Sequence, residues 1–69
     1  MIVLPNDDGA GFVAIFPHDI FMLKWNPAEN PSLAVHLASK SGHRWTLRWD
    51  DPTKATLALQ ALKKEGYPL

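Results

Sequence analysis

The stretch LAVHLASKSGHRWTLRW, residues 33–49, decides the fold, because it contains two alternating apolar–polar segments joined by a short turn with a glycine. Successive side chains of a β-strand point to opposite faces, so such alternation is typical of strands with one buried face. We therefore expect an antiparallel hairpin in which large apolar residues oppose one another on one face. The predicted pairs are Leu37 with Trp45, Val35 with Leu47, and Leu33 with Trp49. This register favours a core role for the tryptophans over a stacking platform for bases.

A helix is predicted directly after this hairpin. Asp51 suits the N-cap, Pro52 suits the first helical position, and the segment TKATLALQALKKE is rich in helix formers. Gly66 suits the position just past the helix end. The apolar residues that share one helix face are Ala55, Ala58, Leu59 and Leu62.

Three further strands are predicted on the N-terminal side of the hairpin, at residues 1–4, 12–16 and 20–25. The turn NDDGAG, the corner PHD and the loop NPAENP separate them, since proline and glycine interrupt regular structure. The chain therefore predicts an α+β fold in a single domain of residues 1–69. Its parts are a small, mainly antiparallel β-sheet of four to five short strands and one C-terminal α-helix.

Composition limits the classes of function. The chain has 69 residues, no cysteine, and seven Lys+Arg against seven Asp+Glu. A hydrophobic core of this size gives only marginal stability and often needs reinforcement. Without cysteine, neither a disulfide nor a thiolate-bound metal can supply it. No apolar run approaches the roughly 18 residues of a membrane span, and no secretion signal is visible at the N-terminus. We expect a cytoplasmic protein without a membrane partner, for which self-association is one route to stability.

An excess of apolar side chains in the early strands points to an interface. The segments FVAIF and IFMLKW are apolar on both faces, whereas one sheet packed on one helix has a single interior. Alternation places Ile20 with Met22 on one side of the third strand. Contiguous exposed apolar surface commonly marks a binding site, although a sheet curled into a partial barrel would bury both faces itself. The candidate contact residues are Phe12, Ala14, Phe16, Ile20, Met22 and Leu57.

The polar face of the 33–49 hairpin carries a second candidate site. Arg44, Arg48 and His36 lie on this face, and Lys40 lies in the adjoining turn. Guanidinium groups suit phosphate and carboxylate geometry, so this patch predicts binding of an anion, a nucleotide or RNA, as in a phage protein that sequesters signalling nucleotides. A solvated sheet face and a protein-facing patch are the alternatives.

No pattern in the chain indicates catalysis, a metal or a cofactor. His18, His36 and His43 lack the spacing of metal ligands. The acidic pairs at residues 7–8 and 50–51 lie in a turn and at a helix start, where backbone capping accounts for them. No glycine-rich phosphate loop and no nucleophile motif is present. We therefore expect a non-enzymatic protein without a cofactor or a metal site.

The chain also resembles the FlbD/SwrD-like group of small flagellar-associated proteins, and similar small proteins of phages. The resemblance is carried by MIVL at the start, FVAI with its proline corner, Pro27, the VHL…SGHRWTL hairpin, and the helix after DD. The three tryptophans, the long NDDGAG turn and the proline-rich loop depart from that pattern. The resemblance implies a non-enzymatic accessory factor that works through protein contacts, and it assigns no functional residues.

Overall fold

Five short strands and one C-terminal helix follow the proline and glycine breaks of the sequence. The structure is a computed structural model that describes all of residues 1–69. Its elements are β1 (Ile2–Pro5), β2 (Phe12–Ile15), β3 (Ile20–Asn26), β4 (Ser32–Ala38), β5 (Arg44–Trp49) and α1 (Pro52–Lys64). The PHD corner forms a single 3-10 turn over Pro17–Asp19. The α+β class is confirmed.

The strands divide between two antiparallel sheets. β1 and β2 form a two-stranded hairpin, and β3, β4 and β5 form a three-stranded sheet with β4 in the centre. The β4–β5 register is the predicted one: Leu33 lies opposite Trp49, and the two inward pairs that follow it along the strands are as expected. The alternation of residues 33–49 was therefore sufficient to define this half of the sheet.

A β-bulge in β3 corrects one prediction. Ile20 lies opposite Leu37 and Met22 lies opposite His36, so Phe21 is an extra residue in the ladder. An extra residue reverses the side to which the preceding residues point. Ile20 consequently packs on the core, whereas Phe21 is exposed on the same side as Met22. The expectation that Ile20 and Met22 share a face was wrong, because simple alternation does not hold across a bulge.

The helix closes the core as expected. The Asp51 carboxylate accepts a hydrogen bond from the Thr53 backbone N–H at 2.9 Å, and Gly66, with φ +102°, follows the helix end. The four predicted inward residues of α1 are its buried ones. They pack with inward residues from both sheets, among which the fully buried side chains include Leu4, Val35 and Leu37. No helix of the protein has the length and apolar character needed to cross a membrane.

Three long-range hydrogen bonds tie the β1–β2 hairpin to the junction of β5 and α1. The indole N–H of Trp49 donates to the Pro5 carbonyl oxygen at 2.6 Å. The Asp7 carboxylate accepts from the backbone N–H groups of Asp50 and Asp51, at 2.9 and 3.1 Å. The turn between β1 and β2 is thus held against the start of the helix, and at least two of the four paired acids have structural roles.

Candidate functional site

The outward side of the β1–β2 hairpin is an apolar surface. Alternate residues point away from the core, and large side chains among them are exposed: Phe12 is 73% exposed and Phe16 is 52% exposed. None of the side chains on this side is charged. We call this surface the apolar hairpin face, and its residues are Met1, Val3, Phe12, Ala14 and Phe16.

An apolar groove borders this face. It has a volume of about 320 Å³ and runs between β2 and β5, where the inner side of the sheet is not covered by the helix. Trp45 and Leu47 are therefore only half-buried, whereas Trp49 at the other end of β5 is 2% exposed. We call it the β2–β5 groove, and its lining is Val13, Ala14, Ile15, Phe16, Asp19, Leu37, Trp45 and Leu47. Because Ala14 and Phe16 belong to both, the face and the groove form one continuous surface.

The six residues predicted as an interface lie in four separate places. Phe12, Ala14 and Phe16 share the apolar hairpin face. Ile20 packs on the core beside the C-terminal residues Tyr67 and Leu69. Met22 lies on the outward side of the three-stranded sheet.

Leu57 occupies the fourth place, on the exposed side of the helix. Its neighbours there include Thr53, Thr56 and Gln60. A single exposed leucine among polar residues is ordinary for a protein surface. The hairpin therefore carries most of the apolar surface that the sequence led us to expect.

The outward side of the three-stranded sheet, here called the outer sheet face, is organised by two alanines of β4. Ala34 lies between Lys24 of β3 and Arg48 of β5, and Ala38 lies opposite Arg44. Ala34 is buried although it points outward, which is consistent with the aliphatic stems of its long neighbours lying over it. Lys24 and Arg48 thus flank Ala34, and Arg44 flanks Ala38.

His36 lies between these two alanines on β4, and Phe21 lies beside it. The His36 Nδ1 and Thr46 Oγ1 are 3.0 Å apart and share a hydrogen bond, while the His36 Nε2 is buried without a partner. The Phe21 ring lies 6.0 Å from the His36 ring. The Arg44 guanidinium carbon lies 5.4 Å from the Phe21 ring centroid, which is cation–π geometry.

The four predicted anion-binding residues are only partly brought together. Arg44, His36 and Arg48 share the outer sheet face, but Arg44 and Arg48 are four residues apart along β5, a separation of about 13 Å. Lys40 lies in the turn instead, where it borders an open depression with His18 and Asp19. Sequence reasoning missed Phe21 and Lys24. The unbroken apolar run IFML was the signal for Phe21. Four successive apolar residues do not fit the alternation of a regular strand, whereas a strand with one extra residue accommodates them.

The charges of the protein are almost entirely unpaired. The one contact between a basic and an acidic side chain joins the His18 imidazole to the Asp19 carboxylate at 3.4 Å. No Asp or Glu occurs within β3, β4 or β5. Lys24, Arg44 and Arg48 therefore give the outer sheet face a positive character on a chain with no net charge. No group of three or more His, Cys, Asp or Glu side chains is arranged to hold a metal ion.

Comparisons of the chain with protein-family models, with curated proteins and with solved structures gave no significant match. The resemblance to FlbD/SwrD-like proteins stays a prediction.

Proposed function

We propose that the protein is a small non-enzymatic interaction module that associates with a second copy of itself through the apolar hairpin face and the β2–β5 groove. The observation that carries this proposal is the exposure of Phe12 and Phe16 on a face without a charged side chain. The large apolar side chains of this face expose on the order of 400 Å². That is about half of the ~800 Å² that a stable interface takes from each partner, and the adjoining groove extends the surface.

A second copy fits this surface because the same molecule offers both a protruding group and a recess. The Phe12 side chain protrudes from one end of the face, and the groove at the other end is lined by Trp45 and Leu47. In a two-fold dimer each surface meets its own copy, so Phe12 of each subunit enters the groove of the other. A chain with no net charge brings no net repulsion to this contact.

Burial of apolar surface in a dimer also compensates for the low stability expected of so small a monomer. A domain of 69 residues buries only about 60% of its unfolded surface. Association removes further apolar area from water without a disulfide or a metal ion. We also propose that the protein acts in the cytoplasm as an accessory factor that contacts further proteins.

The variant Phe12→Thr tests it. Threonine keeps a β-branched residue in the strand and removes the aromatic ring. An aromatic side chain buried in a groove of the partner contributes about 2 kcal/mol or more per copy, so losing both should weaken the dimer by about 1,000-fold in Kd. Size-exclusion chromatography with light scattering at micromolar concentration measures the change from twice 7.7 kDa toward the monomer mass.

Phe21→Thr is the matched control. Phe21 is likewise an exposed strand phenylalanine (50% exposed, against 73% for Phe12), but it lies on the outer sheet face. We expect this variant to keep the mass of the unmodified protein. Equal masses for both variants, whether dimeric or monomeric, would contradict the proposed interface.

A further inference from the structure

The outer sheet face carries charged and aromatic side chains that take no part in the proposed self-association. It combines three cations, one exposed aromatic ring and one exposed thioether, and its three strands contain no carboxylate. Half of the Phe21 surface is open to solvent, although the residue lies in a sheet that has an apolar interior available on its other side. The bulge in β3 turns this ring outward.

We infer that the outer sheet face binds single-stranded nucleic acid, with a base stacked on Phe21 and backbone phosphates bound by Lys24, Arg44 and Arg48. Exposed aromatic rings in a basic groove are what sequence-tolerant binding of single strands requires, since every base has a face that can stack. The Arg44 guanidinium lies over the Phe21 ring, so an incoming base displaces it from the ring face, and the released cation then lies beside the phosphate of that base.

The spacing of the cations favours a chain over a single nucleotide. Arg44 lies at one end of β5, and Arg48 with Lys24 lies at the other end of the face, on either side of Ala34. The separation of about 13 Å between the ends is too long for one phosphate to contact both groups. An extended polyanion contacts all three cations at once.

A duplex fits the face less well than a single strand. Its bases are stacked on one another, so Phe21 would have no base face to contact, and Met22 would meet only the sugar–phosphate backbone. The fixed Thr46–His36 hydrogen bond holds the middle of the face in one arrangement, which lowers the cost of ordering it on binding.

Fluorescence anisotropy with a labelled single-stranded RNA of about 12 nucleotides, a length within the range of single-strand binding sites, tests the inference. Three cations predict a slope of log Kobs against log salt of about −2 for a single strand. Phe21→Leu should weaken binding by roughly 10- to 100-fold at constant slope, because stacking is lost and charge is kept. Arg44→Ala should reduce the slope by about 0.7.

Two controls separate the site from general attraction and from misfolding. Leu57→Ala changes an apolar side chain of similar exposure (48% against 50% for Phe21) on the helix, outside both surfaces, and it should leave RNA affinity unchanged. Phe21→Tyr keeps a stacking ring and should restore affinity. Absence of binding at low salt, equal affinity for a duplex of the same length, or unchanged affinity in Phe21→Leu would each overturn the inference.

Discussion

Replacing Trp49 with phenylalanine should destabilise the protein by an amount that the structure allows us to estimate. The Trp49 side chain is 2% exposed, and its indole N–H donates to the Pro5 carbonyl oxygen at 2.6 Å. Loss of the donor leaves that carbonyl with an unmet hydrogen bond, at about 1–2 kcal/mol. Loss of the larger ring leaves a cavity on the order of 40 Å³, which adds about 1 kcal/mol.

The total of about 2–3 kcal/mol is a large part of the stability of such a domain. At the usual 0.05–0.15 kcal/mol per residue, the whole fold has a free energy of unfolding of roughly 3–10 kcal/mol. The expected fall in Tm is therefore roughly 8–24 °C, because each kcal/mol shifts Tm by about 4–8 °C at this size.

Thermal unfolding followed by far-ultraviolet circular dichroism measures this effect at one fixed protein concentration. Trp25→Phe is the matched control: Trp25 is half-buried, and no hydrogen bond from its indole is present. We expect the control to lose less than about 1 kcal/mol. If the two variants have the same Tm, then the contact between β5 and β1 is not an anchor of the fold, and the reasoning is refuted.

Two further substitutions test the packing described above. Asp7→Ala should lower the free energy of unfolding by about 1–2 kcal/mol, since it removes the acceptor for two backbone N–H groups at the helix start. Chemical denaturation measures this loss, and an equal loss in Asp8→Ala would contradict the prediction. Leu62→Ala should lower the free energy of unfolding by about 2–5 kcal/mol because this side chain is fully buried. Leu57→Ala, on the exposed side of the same helix, should lower it by under about 0.5 kcal/mol in the same assay. A larger loss would show that Leu57 is covered.

The β4–β5 pair and the helix were predictable because their signals are local. Alternation over residues 33–49 leaves one register in which the large apolar side chains oppose one another, and this is the register of the structure. The capping residue Asp51 and the position of Gly66 set the two ends of the helix. Each of these inferences needed only residues that are close in sequence.

The remaining features depend on contacts between distant parts of the chain. The bond from Trp49 to Pro5 spans 44 positions, and the bonds to Asp7 span 43 and 44. The bulge at Phe21 is set by the need to place both Ile20 and Leu23 against the core, which alternation alone does not reveal. The division into two sheets also escaped sequence reasoning, so the predicted interface residues could not be placed relative to one another.

An isotope-filtered nuclear Overhauser spectrum of an equimolar mixture of labelled and unlabelled protein tests the central claim most directly. It detects only contacts between different copies of the chain. Self-association through the hairpin predicts cross-peaks between the Phe12 ring of one copy and the Leu47 methyl groups of the other. A filtered spectrum without these cross-peaks, from a sample that sediments as a 7.7 kDa species, would contradict it.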